Sequence, residues 1–144
     1  MELEFEFEAY HPITEDDLNI FEKENEFVLP EDYRLHMLKW NGGGVKIPLN
    51  YVDEDGFDLA LSSLLSLAND TSTLATVNNM MKDLVPNGYL IIGRTRAGLD
   101  IIMCIEPGEK YGEIKAMAET LELFYLAPSL NEYFNQLVID VDYL

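Results

Sequence analysis

The first residues of the chain alternate between apolar and acidic side chains. Leu3, Phe5 and Phe7 stand at every second position, with glutamates between them. This two-residue period is typical of a half-buried strand. We therefore expect a strand at the edge or surface of a sheet over residues 2–8, within an acidic N-terminal strand or arm that spans residues 1–11.

Capping signals predict two helices in the first third of the chain. Thr14 is a suitable N-cap for a first helix that ends at about Asn25, because acids follow it in the first turn and face the helix dipole. A second helix is predicted to have Pro30 at or near its first position, and the glycine run 42–44 ends it. Its apolar face, which we expect to be buried against the sheet, consists of Tyr33, Met37 and Trp40.

Two more helices are predicted in the second half of the chain. An apolar stripe indicates a third helix that stops at Pro86: Leu74, Val77, Met81 and Leu84. Ser129 and Glu132 form a capping box in front of a closing helix. The apolar face predicted for that helix consists of Leu130, Tyr133, Phe134, Leu137 and Val138.

Short apolar runs separated by turn residues predict the strands. They occupy residues 45–49, 57–61, 89–92, 99–103, 112–117 and 121–126. Because short turns join several of these runs, we expect antiparallel neighbours. The sequence therefore predicts an α+β fold: a single domain over residues 12–144, with a mostly antiparallel central sheet flanked by about four helices.

Length and composition favour an ordinary intracellular domain. With 144 residues, of which 48% are hydrophobic, the chain can bury a core without disulfides or metal. The single cysteine, Cys104, lies in an apolar run, so we expect a buried, structural thiol. The N-terminus is acidic where a secretory signal is basic and then apolar, and no apolar run approaches the roughly 20 residues of a membrane span. We therefore expect a cytoplasmic protein.

The formal net charge of −18 points to a basic partner. Residues 1–32 hold twelve acids and one cation, Lys23. Such a field repels nucleic acid and anionic lipid, so we expect a protein partner, no nucleic acid and no membrane. High charge also serves solubility alone, and that alternative stays open.

A series of short motifs occurs in a defined order. The second helix opens with Leu29-Pro30-x-Asp32-Tyr33, and Trp40 is followed by Asn41-Gly42-Gly43. Three further motifs come later: Ile91-x-Gly93, Gly112-Glu113-Ile114 and Ser129-Leu130-x-Glu132. Over roughly residues 12–137 these motifs together resemble the SUKH superfamily, the domain of the yeast cell-wall assembly regulator and of many bacterial immunity proteins. The family motif residues, for which we expect structural roles, are Leu29, Pro30, Asp32, Tyr33, Trp40, Asn41, Gly42 and Gly43.

The resemblance implies a protein that binds another protein. We expect an immunity protein that neutralises a cognate toxin domain, such as a basic nuclease or deaminase, because an acidic inhibitor can occupy a basic cleft. Two alternatives stay open. One is a non-enzymatic regulatory protein-interaction module, and the other is a small-ligand-binding or carboxylate-based enzyme with a pocket between sheet and helices.

Residue types that catalysis and metal binding require are sparse. The only histidines are His11 and His36, and no nucleophile elbow, zinc motif or cysteine pair is present. Residues 41–46 lack the ending of a phosphate loop, and the acids of 53–58 lack the ligand spacing of an EF-hand. We therefore expect no catalytic residue, cofactor or metal, and a structural role for His36.

One loop combines acids with aromatic side chains. Interfaces favour aromatic anchors in a complementary field, so the sequence predicts a partner surface here, assisted by acids of the first 32 residues. Its residues are Tyr51, Asp53, Glu54, Asp55, Phe57 and Asp58. A solvated, charged turn is the alternative interpretation.

Overall fold

Nine strands and four helices are present in the computed structural model, which describes residues 6–67, 73–140 and 142. The helices are α1 (Glu15–Asn25), α2 (Glu31–Trp40), α3 (Leu74–Met81) and α4 (Leu130–Gln136). The strands are β1 (Phe7–Glu8), β2 (Gly43–Val45), β3 (Leu49–Asn50), β4 (Leu61–Leu64), β5 (Tyr89–Thr95), β6 (Asp100–Cys104), β7 (Ile114–Met117), β8 (Leu123–Ala127) and β9 (Val138–Ile139).

Seven of these strands form one sheet in the order β1-β2-β4-β5-β6-β7-β8. Every pairing between its neighbours is antiparallel. Strands β3 and β9 form a separate two-stranded sheet. The prediction of an α+β fold with a mostly antiparallel central sheet is confirmed. Strands β5 to β8 follow one another both in the chain and in the sheet, because antiparallel neighbours need only short connections.

The helix starts follow the predicted capping signals. Thr14 Oγ1 accepts the backbone N–H of Asp17, and the Asp17 carboxylate accepts the backbone N–H of Thr14, which completes a capping box. Helix α2 follows Pro30 directly. Ser129 Oγ accepts the backbone N–H of Glu132 at 3.1 Å and so caps α4.

The sheet is covered on both faces. Helices α1, α2 and α4 enclose the main core against one face, and the most deeply buried side chains they contribute are Leu18, Tyr33, Met37, Leu130 and Tyr133. On the other face, Ile91, Ile102 and Met117 form a smaller core under α3, together with Val77 and Met81. Burial on both faces explains why β5 and β6 have continuous apolar runs instead of alternating ones.

Two aromatic residues are less buried than predicted. Trp40 and Phe134 lie at the margin of the main core and are only partly buried. Trp40 occupies the last turn of α2, with its ring centroid 5.9 Å from that of Phe7 and the Lys39 ammonium 5.2 Å from its ring. Val138 is exposed, whereas the other residues of the two predicted apolar faces are buried: Tyr33, Met37, Leu130, Tyr133 and Leu137.

Several element boundaries differ from the predicted ones. Helix α3 ends at Met81, before Leu84, and Val138 belongs to β9 instead of the closing helix. The predicted strand 45–49 is divided between β2 and β3, and β4 begins only at Leu61. The polar stretch 69–72 lies outside the described residues.

The described part of the N-terminal segment belongs to the central sheet. Strand β1 pairs with β2, with Phe7 opposite Val45. Phe7 is buried, and its ring centroid lies 4.6 Å from that of His36. The predicted strand positions Leu3 and Phe5 lie outside the described part of the chain. Over the residues described, none of the helices is long and apolar enough to cross a membrane.

Candidate protein-binding surface

The loop between β3 and β4 forms a closed turn that carries the predicted partner residues. Val52 and Asp58 form an isolated antiparallel bridge across it. The backbone N–H of Asp53 donates to the carbonyl of Phe57 at 3.1 Å. Gly56 has a φ of +85°, in the left-handed region that glycine adopts without strain. We refer to residues 51–58 as the acidic loop.

Asp53 organises the acidic loop from within. Its Oδ1 atom accepts the backbone N–H of Asp55 at 3.0 Å and that of Phe57 at 2.9 Å. A carboxylate in this position closes an Asx turn. Glu54 and Asp55, by contrast, are exposed. The loop therefore presents the carboxylates of Glu54 and Asp55 to solvent, whereas Asp53 is engaged in the turn.

Asp58 is held at the base of the loop by a cation. Its Oδ2 atom lies 3.3 Å from Arg96 Nε, and its Oδ1 atom accepts the backbone N–H of Ala60 at 3.1 Å. Arg96 Nη1 also donates to the carbonyl of Leu49 at 2.8 Å and lies 3.4 Å from Asp140 Oδ2. One guanidinium thus connects the acidic loop, β3 and the residue that follows β9.

The two aromatic residues of the acidic loop differ in exposure. Tyr51 is partly buried, with its ring centroid 6.3 Å from that of Tyr133. Burial raises the pKa of Tyr51, and the negative charge of Asp53 raises it further. Phe57 is about half exposed, and its ring centroid lies 4.9 Å from that of Phe124 in β8. Phe57 therefore contacts the sheet while remaining accessible.

Exposed apolar side chains continue from the acidic loop onto the hairpin of β7 and β8. Leu121 is 45% exposed, Leu123 40% and Tyr125 58%. Leu123 and Tyr125 point to the opposite face of β8 from Phe124, because side chains alternate along a strand. Apolar groups thus lie on both sides of this sheet edge. The sequence prediction missed Leu121, Leu123 and Tyr125, because alternation alone does not show which strand is last in the sheet.

A concave region lies beside α3. It is a groove of about 450 Å³ whose lining includes Tyr10, Val77, Met80 and Met81, with Arg94 and Asp100 among its polar residues. Arg94 Nε lies 3.5 Å from Asp100 Oδ1. Burial raises the pKa of Asp100, and the Arg94 charge opposes that effect. Asp100 is the one carboxylate among the described lining residues, whereas a carboxylate-based enzyme ordinarily uses a pair.

His36 and Cys104 lie inside the fold. His36 Nε2 is 3.0 Å from the carbonyl of Gly42, to which it donates as a neutral imidazole. Burial lowers the pKa of His36 to about 4, against the opposing effect of that carbonyl. Cys104 is buried at the end of β6, with Sγ 3.7 Å from the carbonyl of Glu106. Within the described ranges, no group of three or more His, Cys, Asp or Glu residues is arranged to hold a metal ion.

The glycine motif after α2 lies where three segments meet. Asn41 is buried, accepts the backbone N–H of Leu67 at 2.8 Å and donates to the carbonyl of His11 at 2.9 Å. A Cβ atom on Gly42 would lie 2.4 Å from the carbonyl oxygen of Leu65, and one on Gly43 would lie 2.5 Å from that of Glu8. These glycines therefore permit close backbone contact in addition to ending the helix.

The motif before α2 joins α1, α2 and α4. Leu29 and Pro30 are buried, and the backbone N–H of Leu29 donates to Glu22 Oε2 at 2.7 Å. Asp32 Oδ2 accepts the backbone N–H of Asn131, at the start of α4, at 3.1 Å. Tyr33 is fully buried, and its hydroxyl has no hydrogen-bond partner among the described residues.

Comparison with known proteins gives one family. A family model described as "SMI1 / KNR4 family (SUKH-1)" matches residues 12–136, a span that includes α1 to α4. No curated protein matches the chain significantly. The family match is consistent with an immunity or regulatory interaction module.

Proposed function

The chain belongs to the SMI1 / KNR4 family (SUKH-1), and from this premise we propose that it is a non-enzymatic immunity protein of the cytoplasm. In this proposal it binds a basic nuclease or deaminase toxin domain and blocks its substrate cleft. The observation that carries the proposal is the acidic loop, where exposed Glu54 and Asp55 flank the half-exposed ring of Phe57. Acids around an aromatic anchor are the chemistry that a basic protein surface recognises.

Few cations offset the negative field of the surface. The chain has nine lysines and arginines against 27 acids. Among the residues that the structure describes, five cations form ion pairs with carboxylates: Arg34, Lys46, Arg94, Arg96 and Lys115. Such pairs are locally neutral, so the acids that remain unpaired dominate the field seen by an approaching protein. A field of this kind raises association rates by roughly 10- to 1,000-fold at low ionic strength.

The proposal is tested with the toxin domain encoded beside the chain's own gene. We expect expression of that domain alone to stop growth, and coexpression of this chain to restore growth. The purified pair should form a complex whose dissociation constant rises with salt, because exposed charges are screened. A domain that still arrests growth in the presence of the chain, and forms no complex with it, would overturn the proposal. A tight partner that is harmless alone would favour the regulatory alternative.

A matched pair of variants locates the charge that matters. Changing Glu54 and Asp55 to lysine reverses two exposed acids of the acidic loop. Changing Asp83 and Glu109 to lysine makes the same change in net charge on exposed acids of other segments. We expect the loop variant to slow association much more than the control, because the local field governs encounter. Equal effects of the two variants would show that net charge acts without a defined surface.

A further inference from the structure

The last strand of the central sheet has an unusually apolar edge. Strand β8 ends the sheet order, and its sequence, Leu-Phe-Tyr-Leu-Ala, has neither a charged residue nor a proline. An edge strand presents unpaired N–H and C=O groups to any strand that approaches, and soluble proteins usually protect such edges with lysine, proline or a covering segment. The edge of β8 therefore needs a physical explanation.

One end of this edge is covered. Gln136 of α4 donates its side-chain N–H to the carbonyl of Leu126 at 3.1 Å. The pairing register between β7 and β8 also shifts in this region, between Ile114 and Lys115. Among the residues described, this protection lies at the end of β8 nearest α4, and Leu123–Tyr125 lies beyond it.

The backbone of the remaining segment faces outward at two positions. The backbone N–H of Ala118 donates to the carbonyl of Glu122 at 2.9 Å, so Glu122 directs this carbonyl towards β7. Residues along an antiparallel strand alternate between directing their backbone groups to one neighbour and to the other side. Leu123 and Tyr125 therefore direct their N–H and C=O groups towards the free edge.

The turn before β8 adds a second exposed leucine. Leu121 has a φ of +69°, in the left-handed region that favours glycine. It nevertheless has a large apolar side chain that is almost half exposed. A leucine at this position is explained if its side chain contacts something outside the chain, since strained backbone is commonly retained at binding sites.

We propose that the partner contributes an extended, basic segment that adds to the central sheet as a further strand beside β8. This inference rests on the proposed function, because it describes how the partner is held. The alternating side chains of the added strand would meet two different surfaces. On one face they approach the acidic loop, which contacts β8 through Phe57 and Phe124. On the other face they lie beside Leu123 and Tyr125.

Charge selects this occupant over a second copy of the chain. Glu119 and Glu122 precede β8, and Glu54 and Asp55 are exposed in the acidic loop that contacts it. Pairing β8 of two copies would bring these acids together between two molecules that each have a charge of −18. A basic strand instead gains main-chain hydrogen bonds together with opposite charge, as in strand addition to an exposed sheet edge.

The first test uses peptides and the intact chain. The probe is a capped eight-residue peptide with four Lys-Val repeats, and the control peptide has glutamate in place of lysine. We expect the lysine peptide, at saturation, to slow amide hydrogen exchange of Leu123 and Tyr125 at least about tenfold, because strand addition bonds their N–H groups. The glutamate peptide should leave both amides unchanged. If the lysine peptide leaves the exchange rates of these two amides unchanged, the inference is overturned.

The second test separates the backbone from the side chain at one position. Tyr125→Ala and Tyr125→Pro both remove the phenol ring, but only proline removes the N–H. Proline is accepted on an edge strand where the N–H faces away from the sheet. We expect Tyr125→Pro to bind the lysine peptide at least about tenfold more weakly than Tyr125→Ala, as expected for loss of a main-chain contact. Urea unfolding verifies that both variants fold. If Tyr125→Pro does not fold, the comparison of Leu123→Pro with Leu123→Ala repeats the test.

Other outcomes distinguish this inference from the proposed function. Equal peptide binding by the proline and alanine variants overturns the inference. The inference is also overturned if the wild-type chain self-associates in sedimentation and Tyr125→Pro abolishes this self-association, because a second copy then occupies the edge. If Tyr125→Pro relieves toxin arrest as well as wild type, the proposed function stands and the inference fails. If wild type relieves no arrest, the proposed function fails, whereas the peptide measurements still decide whether the edge of β8 binds a basic strand.

Discussion

Two buried tyrosines allow one chemical change to be made in two environments. Tyr33 and Tyr133 are both fully buried in the main core, and burial raises the pKa of both hydroxyls above the usual range. The Tyr133 hydroxyl donates to the carbonyl of Leu59 at 2.6 Å. The Tyr33 hydroxyl has no partner among the residues described. Replacing each tyrosine with phenylalanine should therefore have different effects on stability.

The expected magnitudes follow from the hydrogen bond. Tyr133→Phe removes a buried bond and leaves the carbonyl of Leu59 without it, so we expect the free energy of unfolding to fall by about 1–3 kcal/mol. Tyr33→Phe removes a hydroxyl that is desolvated without compensation. Because a buried hydroxyl without a bond costs about 1–3 kcal/mol in proteins, Tyr33→Phe should be neutral or should stabilise the fold. The two variants should differ by at least about 1 kcal/mol.

Urea unfolding, followed by the fluorescence of Trp40 and by circular dichroism, measures this difference. Equal slopes against denaturant for wild type and both variants would show that the midpoints report stability alone. A loss of stability in Tyr33→Phe as large as that in Tyr133→Phe would refute the reasoning. It would mean that the Tyr33 hydroxyl has a bonding partner of similar strength to the Leu59 carbonyl.

Three further predictions concern the backbone and one histidine. Leu121→Gly should raise the free energy of unfolding by about 1 kcal/mol, because it relieves the left-handed strain; a loss in urea unfolding would contradict this. Gly43→Ala should destabilise the fold by more than about 2 kcal/mol, because its Cβ would meet the carbonyl of Glu8. Gly44→Ala is the control, because a Cβ atom there has no close neighbour. Equal urea midpoints for the two variants would contradict the account of close contact. The pKa of His36 is lowered to about 4 in the fold, compared with about 6.5 in the unfolded chain. As pH falls from 6.5 towards 4, the unfolded chain binds a proton that the folded chain does not, so the free energy of unfolding falls by about 3 kcal/mol in total. His36→Phe should remove this component from the pH dependence of unfolding, and an unchanged profile between these pH values would show that His36 does not cause it.

Local signals were sufficient to predict most of the helices and the antiparallel character of the central sheet. The N-caps at Thr14 and Ser129 depend on residues three positions apart, so they are visible in the sequence. The predicted strand 57–61 was largely wrong. Leu59 and Ala60 are buried, but they lie in an irregular segment. A distant residue holds this segment in place, because the Tyr133 hydroxyl donates to the carbonyl of Leu59. Val138 was assigned to a helix because its spacing fits, whereas pairing with Asn50 determines its actual structure.

The candidate surface was predictable in composition but not in the roles of its residues. The acids and aromatic residues of the acidic loop are adjacent in the chain, so their clustering needed no structure. The engagement of Asp58 depends on Arg96, which lies far along the sequence and is brought close only by the sheet. The exposure of Tyr125 likewise depends on the position of β8 at the end of the strand order. Neither fact has a local sequence signal.

The contacts of Arg96 make the shape of the acidic loop dependent on the end of the chain. The same guanidinium that holds Asp58 also reaches Asp140, whose backbone N–H donates to the carbonyl of Pro48. Opening of β9 would remove one of the two carboxylates that position this cation and leave it freer to rotate away from the loop. Thermodynamic linkage then requires the reverse effect. A protein clamped onto the acidic loop would slow the fraying of the neighbouring β3–β9 sheet, so that binding at the loop would also alter the dynamics of β9.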